Sequence, residues 1–167
     1  NEYFEERNIQ DNYIDINHTD EYEEMTLVKP SEHCRAYVKV QDGCNNFCSY
    51  CIVPHVRGRE RSRKPDVIIA EAETLIKEGY KLITLLGQNV NSYGKNCDFD
   101  VDFAELIRRI DALEGDFKFD FMTSHPRDCS FELIDVLADS VHFCGHLHLP
   151  VQSGNNRILK EMNRHYT

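Results

Sequence analysis

Three cysteines, Cys44, Cys48 and Cys51, fall at C-x3-C-x2-C spacing in the run Asp42-Gly-Cys-Asn-Asn-Phe-Cys-Ser-Tyr-Cys-Ile-Val-Pro54, directly after an apolar, strand-like stretch. Three thiolates so close in sequence can curl round one iron-sulfur cluster. A cubane has four irons, so ligation by three leaves one iron open for chemistry. Electron-transfer clusters are usually held by four cysteines at other spacings, and closed zinc sites take two C-x2-C pairs or a Cys-Cys-His-His set. Neither pattern is completed nearby. The plain alternatives are a zinc knuckle finished by a distant histidine, or a group of unligated thiols.

A second signal follows the cysteines. Arg57, Arg59, Arg61 and Arg63 recur at every second residue, so an extended backbone would present four guanidinium groups on one side. Guanidinium groups bind phosphates in bidentate fashion and stay charged when half-buried. A row of them beside a reactive centre suits a nucleic-acid strand led into the site. The competing reading pairs them with acidic residues such as Glu60.

These residues need a scaffold, and the chain of 167 residues is long enough for one domain with a real core. Residues 1–33 hold ten acidic side chains against Arg7 and Lys29, with little apolar periodicity, and read as an acidic linker or arm. From Cys34 onward the pattern alternates between strand and helix. The predicted strands are 35–41, 81–86, 117–122 and 146–149; the predicted helices are 66–78, 103–113, 131–139 and one starting near Asn155. Four βα units imply an α/β fold with a parallel sheet and outer helices.

Sites in such folds gather at the C-terminal ends of the strands, where all the candidate loops lie. The cysteine loop follows strand one, Gly87-Gln88-Asn89 strand two, Ser124-His125-Pro126 strand three, and Pro150-Val151-Gln152-Ser153-Gly154 strand four. Backbone amides and a side-chain amide at Gly87 and Gln88 suit an amino-acid-like ligand, though a turn with ordinary loop polars reads the same way. Ser124 equally suits a helix cap. His142, Cys144, His146 and His148 would alternate on one face of an extended strand, which suggests either a second metal or a network of inward-facing polar groups. Cys34, Cys97 and Cys129 have no ligand-like spacing.

Taken together, the segment from Cys44 to Arg63, Leu85-Leu-Gly-Gln-Asn-Val-Asn-Ser-Tyr-Gly94, Met122-Thr-Ser-His-Pro126 and His148-Leu-Pro-Val-Gln-Ser-Gly154 resemble the tRNA methylthiotransferases of the radical S-adenosylmethionine superfamily. Among these they resemble the type that acts on N6-isopentenyladenosine at position 37 of tRNA. The resemblance implies a partial (β/α) radical-SAM barrel over residues 34–167. It also implies a [4Fe-4S] cluster on Cys44, Cys48 and Cys51 that cleaves S-adenosylmethionine to a 5′-deoxyadenosyl radical, after which a methylthio group replaces the hydrogen on C2 of the adenine. Tyr50, Gly87, Gln88, Ser124 and Gln152 are the expected cofactor-binding residues, and Arg57, Arg59, Arg61 and Arg63 the expected RNA contacts. The rival substrates are threonylcarbamoyladenosine in tRNA and an aspartate of a ribosomal protein; from another class, the rival is a non-catalytic, zinc-stabilised RNA-binding module.

Enzymes of this type hold a second [4Fe-4S] cluster on three further cysteines and carry an RNA-binding barrel. No second triad stands in residues 1–43, and a complete barrel takes about 250 residues, so the chain is expected to be an internal fragment that does not complete methylthiolation alone. Expected partners are tRNA and an electron donor such as flavodoxin or ferredoxin. No apolar run approaches the ~20 residues of a membrane span, no secretory signal is visible, and seven cysteines suit a reducing compartment. These features predict a cytoplasmic protein without a membrane partner.

Overall fold

A computed structural model describes residues 34–167; the acidic segment 1–33 lies outside the described residues. In chain order the elements are β1 (Arg35–Lys39), β2 (Gln41–Asp42), α1 (Val53–Val56), β3 (Arg61–Ser62), α2 (Pro65–Lys77), β4 (Leu82–Leu86), α3 (Phe103–Asp111), β5 (Lys118–Phe121), α4 (Phe131–Asp139) and α5 (Asn156–Glu161). Strands β1, β4 and β5 form a parallel sheet in that order, with α2 and α3 as the crossovers. Side chains alternate across a strand, and here the alternation sorts an apolar face from a more polar one. Ala36, Val38, Ile83, Leu85, Phe119 and Phe121 are buried, while Arg35, Tyr37, Lys39, Thr84 and Asp120 take the other face.

The helices cover the apolar face. Along α2, Ile68, Ala72 and Leu75 are buried at helical spacing; Phe103, Leu106, Ile107 and Ile110 do the same along α3, and Leu133 and Leu137 along α4. Burying a side chain of this size contributes ~1.5–3 kcal/mol, which gives the helices their stability more than propensity does. The boundaries have local causes. Pro65 opens α2 at its first turn. Asp102 accepts the Glu105 amide, Ser130 the Leu133 amide, and Asn155 the amides of Arg157 and Ile158.

Three expectations need correction. The strand expected at 146–149 is not formed; the contact with the sheet is instead a parallel bridge between Phe119 and Phe143. Gly145 lies at φ 74° immediately afterwards and turns the chain out of the extended conformation, so His146 and His148 do not continue a strand face with His142 and Cys144. Gln41 and Asp42 leave the first strand to pair antiparallel with Ser62 and Arg61. The arginine segment is not one extended run either: Arg57 caps α1 in a helical conformation, and Gly58 then turns at φ 76°. Among the described residues no helix is long and apolar enough to cross a membrane.

Candidate active site

The cysteine loop leaves β2 through Gly43, at φ 72°. Its amide donates to Asp42 Oδ1 at 3.0 Å and to Gln88 Oε1 at 2.6 Å. A Cβ on this residue would lie 1.9 Å from the Arg59 carbonyl oxygen, so only glycine permits the two strands of the loop to approach this closely. The approach is fixed by further bonds: the Cys44 amide donates to the Gly58 carbonyl at 3.2 Å and the Asn45 amide to Glu60 Oε1 at 3.2 Å. Glu60 Oε1 also accepts from Ser92 Oγ at 2.9 Å. A left-handed Phe47, φ 47°, and a turn closed by the Cys51 amide on the Cys48 carbonyl at 2.9 Å bring the third cysteine round.

All three thiols are free; Cys44 and Cys48 are buried, at 8% and 9% exposure, and Cys51 is half-buried. Burial, followed by the charges of Glu60 and the neighbouring thiols, pushes the Cys44 thiol up to about 11, with only the Asn46 amide opposing. A metal bound at Cys44 would have to displace that proton.

The loop after β4 is tied to the cysteine loop and to the loop after β5. Buried Gln41 donates to Ser92 Oγ at 2.9 Å and accepts the Asn89 amide at 3.1 Å, while Gly87 packs against the same side chain. Asn89 donates to Asp128 Oδ2 at 2.7 Å, and Asn91 exchanges two 2.9 Å bonds with the backbone of His125. Burial opposes ionisation of Asp128, but Arg127, Lys95 and Asn89 outweigh it and hold the carboxyl below its usual range. Burial and the Arg164 charge bring His125 down to about 4, so its ring is neutral at neutral pH. Ser124 donates to the His148 carbonyl rather than capping a helix. From the far end of the chain, the segment after α5 reaches back. The Ser49 amide donates to the Met162 carbonyl at 3.2 Å, Asn163 Nδ2 donates to the Phe47 carbonyl at 2.8 Å, and Arg164 Nη1 lies 3.3 Å from Cys48 Sγ.

A family model described as the radical SAM superfamily matches residues 38–167. The chain belongs to the radical SAM superfamily. Among its curated relatives, the tRNA-2-methylthio-N(6)-dimethylallyladenosine synthase of Thermoanaerobacter sp. (strain X514) is 54% identical over 165 residues, which is 98% of this chain and 35% of the relative. The proteins of the same name from Desulfitobacterium hafniense (strain Y51) and Clostridium perfringens (strain ATCC 13124) are 52% and 58% identical over 147 and 132 residues. These matches take 88% and 79% of this chain and 33% and 30% of the relatives. The chain thus spans about a third of the length of the relatives it matches.

Membership of the radical SAM superfamily implies a [4Fe-4S] cluster and S-adenosylmethionine, and the donor set fits the cluster: three free thiols on one tight loop, two of them buried. Among the described residues no three side chains of His, Cys, Asp or Glu converge to chelate a single ion. Buried Asn89 Oδ1 and His125 Nε2 have no hydrogen-bond partner among the described residues, which leaves polar capacity at the loops after β4 and β5. Of the residues singled out in the sequence, Tyr50 and Gln88 are bound to the cysteine loop's surroundings, through Arg164 at 3.4 Å and Gly43 respectively. Gln152 is exposed with a left-handed backbone, φ 63°.

The four arginines part company. Arg57 is exposed, Arg59 sits with its guanidinium carbon 4.6 Å from the Phe47 ring centroid, and Arg61 lies 3.6 Å from Asp42. Arg63 is buried, donating to the Lys39 carbonyl at 2.9 Å and to Glu71 at 2.6 Å. It braces β1 against α2. Sequence reasoning missed Gln41, Asp128, Asn163 and Arg164, and it read Glu60 only as a possible partner for the arginines. The one available signal for the last pair was an Asn-Arg step directly after a short amphipathic helix.

Proposed function

We propose that this chain is the radical-chemistry core of a tRNA methylthiotransferase that acts on N6-isopentenyladenosine at position 37 of tRNA. The observation that carries the reading is the cysteine loop, three free thiols held on a glycine-dependent turn, in a sequence 52–58% identical to relatives of that name. When bound, the cluster and S-adenosylmethionine supply the radical chemistry that opens the adenine C2–H bond. Cys44, Cys48 and Cys51 hold the cluster, and the parallel sheet continues into a (β/α) barrel. Tyr50, Gly87, Gln88, Ser124 and Gln152 line the S-adenosylmethionine site. Arg57, Arg59 and Arg61 meet the RNA backbone, with Arg63 serving the fold. A second [4Fe-4S] cluster elsewhere in the protein delivers sulfur, a flavodoxin or ferredoxin delivers electrons, and the enzyme works in the cytoplasm.

Nucleoside mass spectrometry of tRNA from cells lacking the gene tests this. The 2-methylthio nucleoside is expected to disappear while its isopentenyl precursor accumulates, and the wild-type gene restores it where a Cys48→Ala gene does not. Persistence of the 2-methylthio nucleoside, or loss of a different modification, would overturn the assignment.

A further inference from the structure

Arg164 is 5% exposed, yet among the described residues it pairs with no carboxylate. Its guanidinium donates to the Pro150 carbonyl at 3.1 Å, to Tyr166 Oη at 3.3 Å and to Tyr50 Oη at 3.4 Å, and Nη1 lies 3.3 Å from Cys48 Sγ. A buried cation is costly unless an anion faces it. Among its partners the anion that suits this role is the Cys48 sulfur, which is a thiolate whenever it ligates iron. Neighbouring Asn163 grips the same loop differently, bonding the carbonyls of Phe47 and Asn46 and no sulfur.

We propose that Arg164 is a positioning residue for the cluster: its guanidinium holds the Cys48 thiolate in place and raises the cluster's reduction potential. The inference rests on the cluster assignment above and goes beyond it. Hydrogen bonds to ligating sulfurs are one of the levers that set iron-sulfur potentials. A fixed positive charge favours the reduced form, which carries one more negative charge, so its removal makes the cluster harder to reduce. Asn163 shapes the loop without this electrostatic effect.

The test uses the full-length protein reconstituted anaerobically as wild type, Arg164→Gln, Arg164→Lys and Asn163→Ala. Each is titrated with titanium(III) citrate, following the electron paramagnetic resonance signal that S-adenosylmethionine perturbs. Arg164→Gln is expected to move the midpoint to more negative potential, Arg164→Lys to move it less, and Asn163→Ala to leave it in place while retaining less iron. A wild-type midpoint in Arg164→Gln overturns the proposal, as does an equal shift in Asn163→Ala; if Arg164→Gln holds no iron, a midpoint in Arg164→Lys more positive than that of the wild type overturns it. If both Arg164 variants lose iron that Asn163→Ala keeps, apo proteins melting like the wild type support the holding role. Apo proteins that no longer fold would assign Arg164 to the fold instead. A wild-type protein that binds no cluster on Cys44, Cys48 and Cys51 would refute the functional assignment and not this inference alone.

Discussion

Of the seven cysteines, only Cys44, Cys48 and Cys51 share one loop. Cys48→Ala is therefore expected to bind less than a full complement of iron after reconstitution, while single Ala variants of Cys34, Cys97, Cys129 and Cys144 match the wild type by iron and sulfide analysis. Gly43→Ala makes a sharper demand on the same loop. The new methyl would meet the Arg59 carbonyl, and a non-glycine residue at φ 72° costs about 1–2 kcal/mol before that clash is relieved. Loss of cluster retention is expected even though no ligand has changed; full iron content in this variant would show that the loop accommodates the substitution. Arg57 and Arg59 are exposed, so their joint replacement by Gln should flatten the salt dependence of tRNA binding by roughly 0.7–0.9 per lost phosphate contact in the log-log slope. An unchanged slope and affinity would remove both from the RNA surface.

At the level of elements, α3 presents the clearest energetic case. Ile107 is completely buried in the core, and Ile107→Ala should cost ~2–5 kcal/mol in urea unfolding, whereas Asp102→Ala, which removes only a cap, should cost about 1 kcal/mol. Equal losses would contradict this account of what holds the helix. Helices of this kind were legible in the sequence: the periodicity over 131–139 matches α4, and Pro65 and Gly79 bracket α2 within a residue. The short elements were not. β2 and β3 are two residues each, too short for alternation to register, and they exist because Gly43 lets residues 58–60 come close. The arginine repeat has the period of a strand, but Gly58 and the α1 turn override it, and Arg63 is drawn inward by Glu71. The cysteine spacing pointed to three thiols that the structure does place on one loop; it carried no trace of Arg164, whose approach depends on how α5 docks.

For the molecule as a whole, the buried ionisable groups set its acid sensitivity. His125, at about 4 in the folded state against about 6.5 unfolded, binds its proton more readily in the unfolded chain, so stability declines as pH falls from about 6.5 to about 4. The loss should be on the order of 3 kcal/mol, and His125→Gln, neutral throughout, should abolish that part of the slope in urea unfolding; an unaltered slope would mean the ring is not buried neutral. The folded-state carboxyls of Asp111 and Asp128 are depressed, so their contribution is present above about 4 and is lost only at lower pH as each protonates. The grip of residues 162–164 on the cysteine loop spans up to 117 positions of sequence. On the ribosome, the cysteine turn is made long before the segment that completes it emerges. Nascent chains stalled short of Arg164 should therefore leave Cys48 open to alkylation, and chains stalled well beyond it should shield that thiol, so that the two ends of this contact join only late in the life of the growing polypeptide.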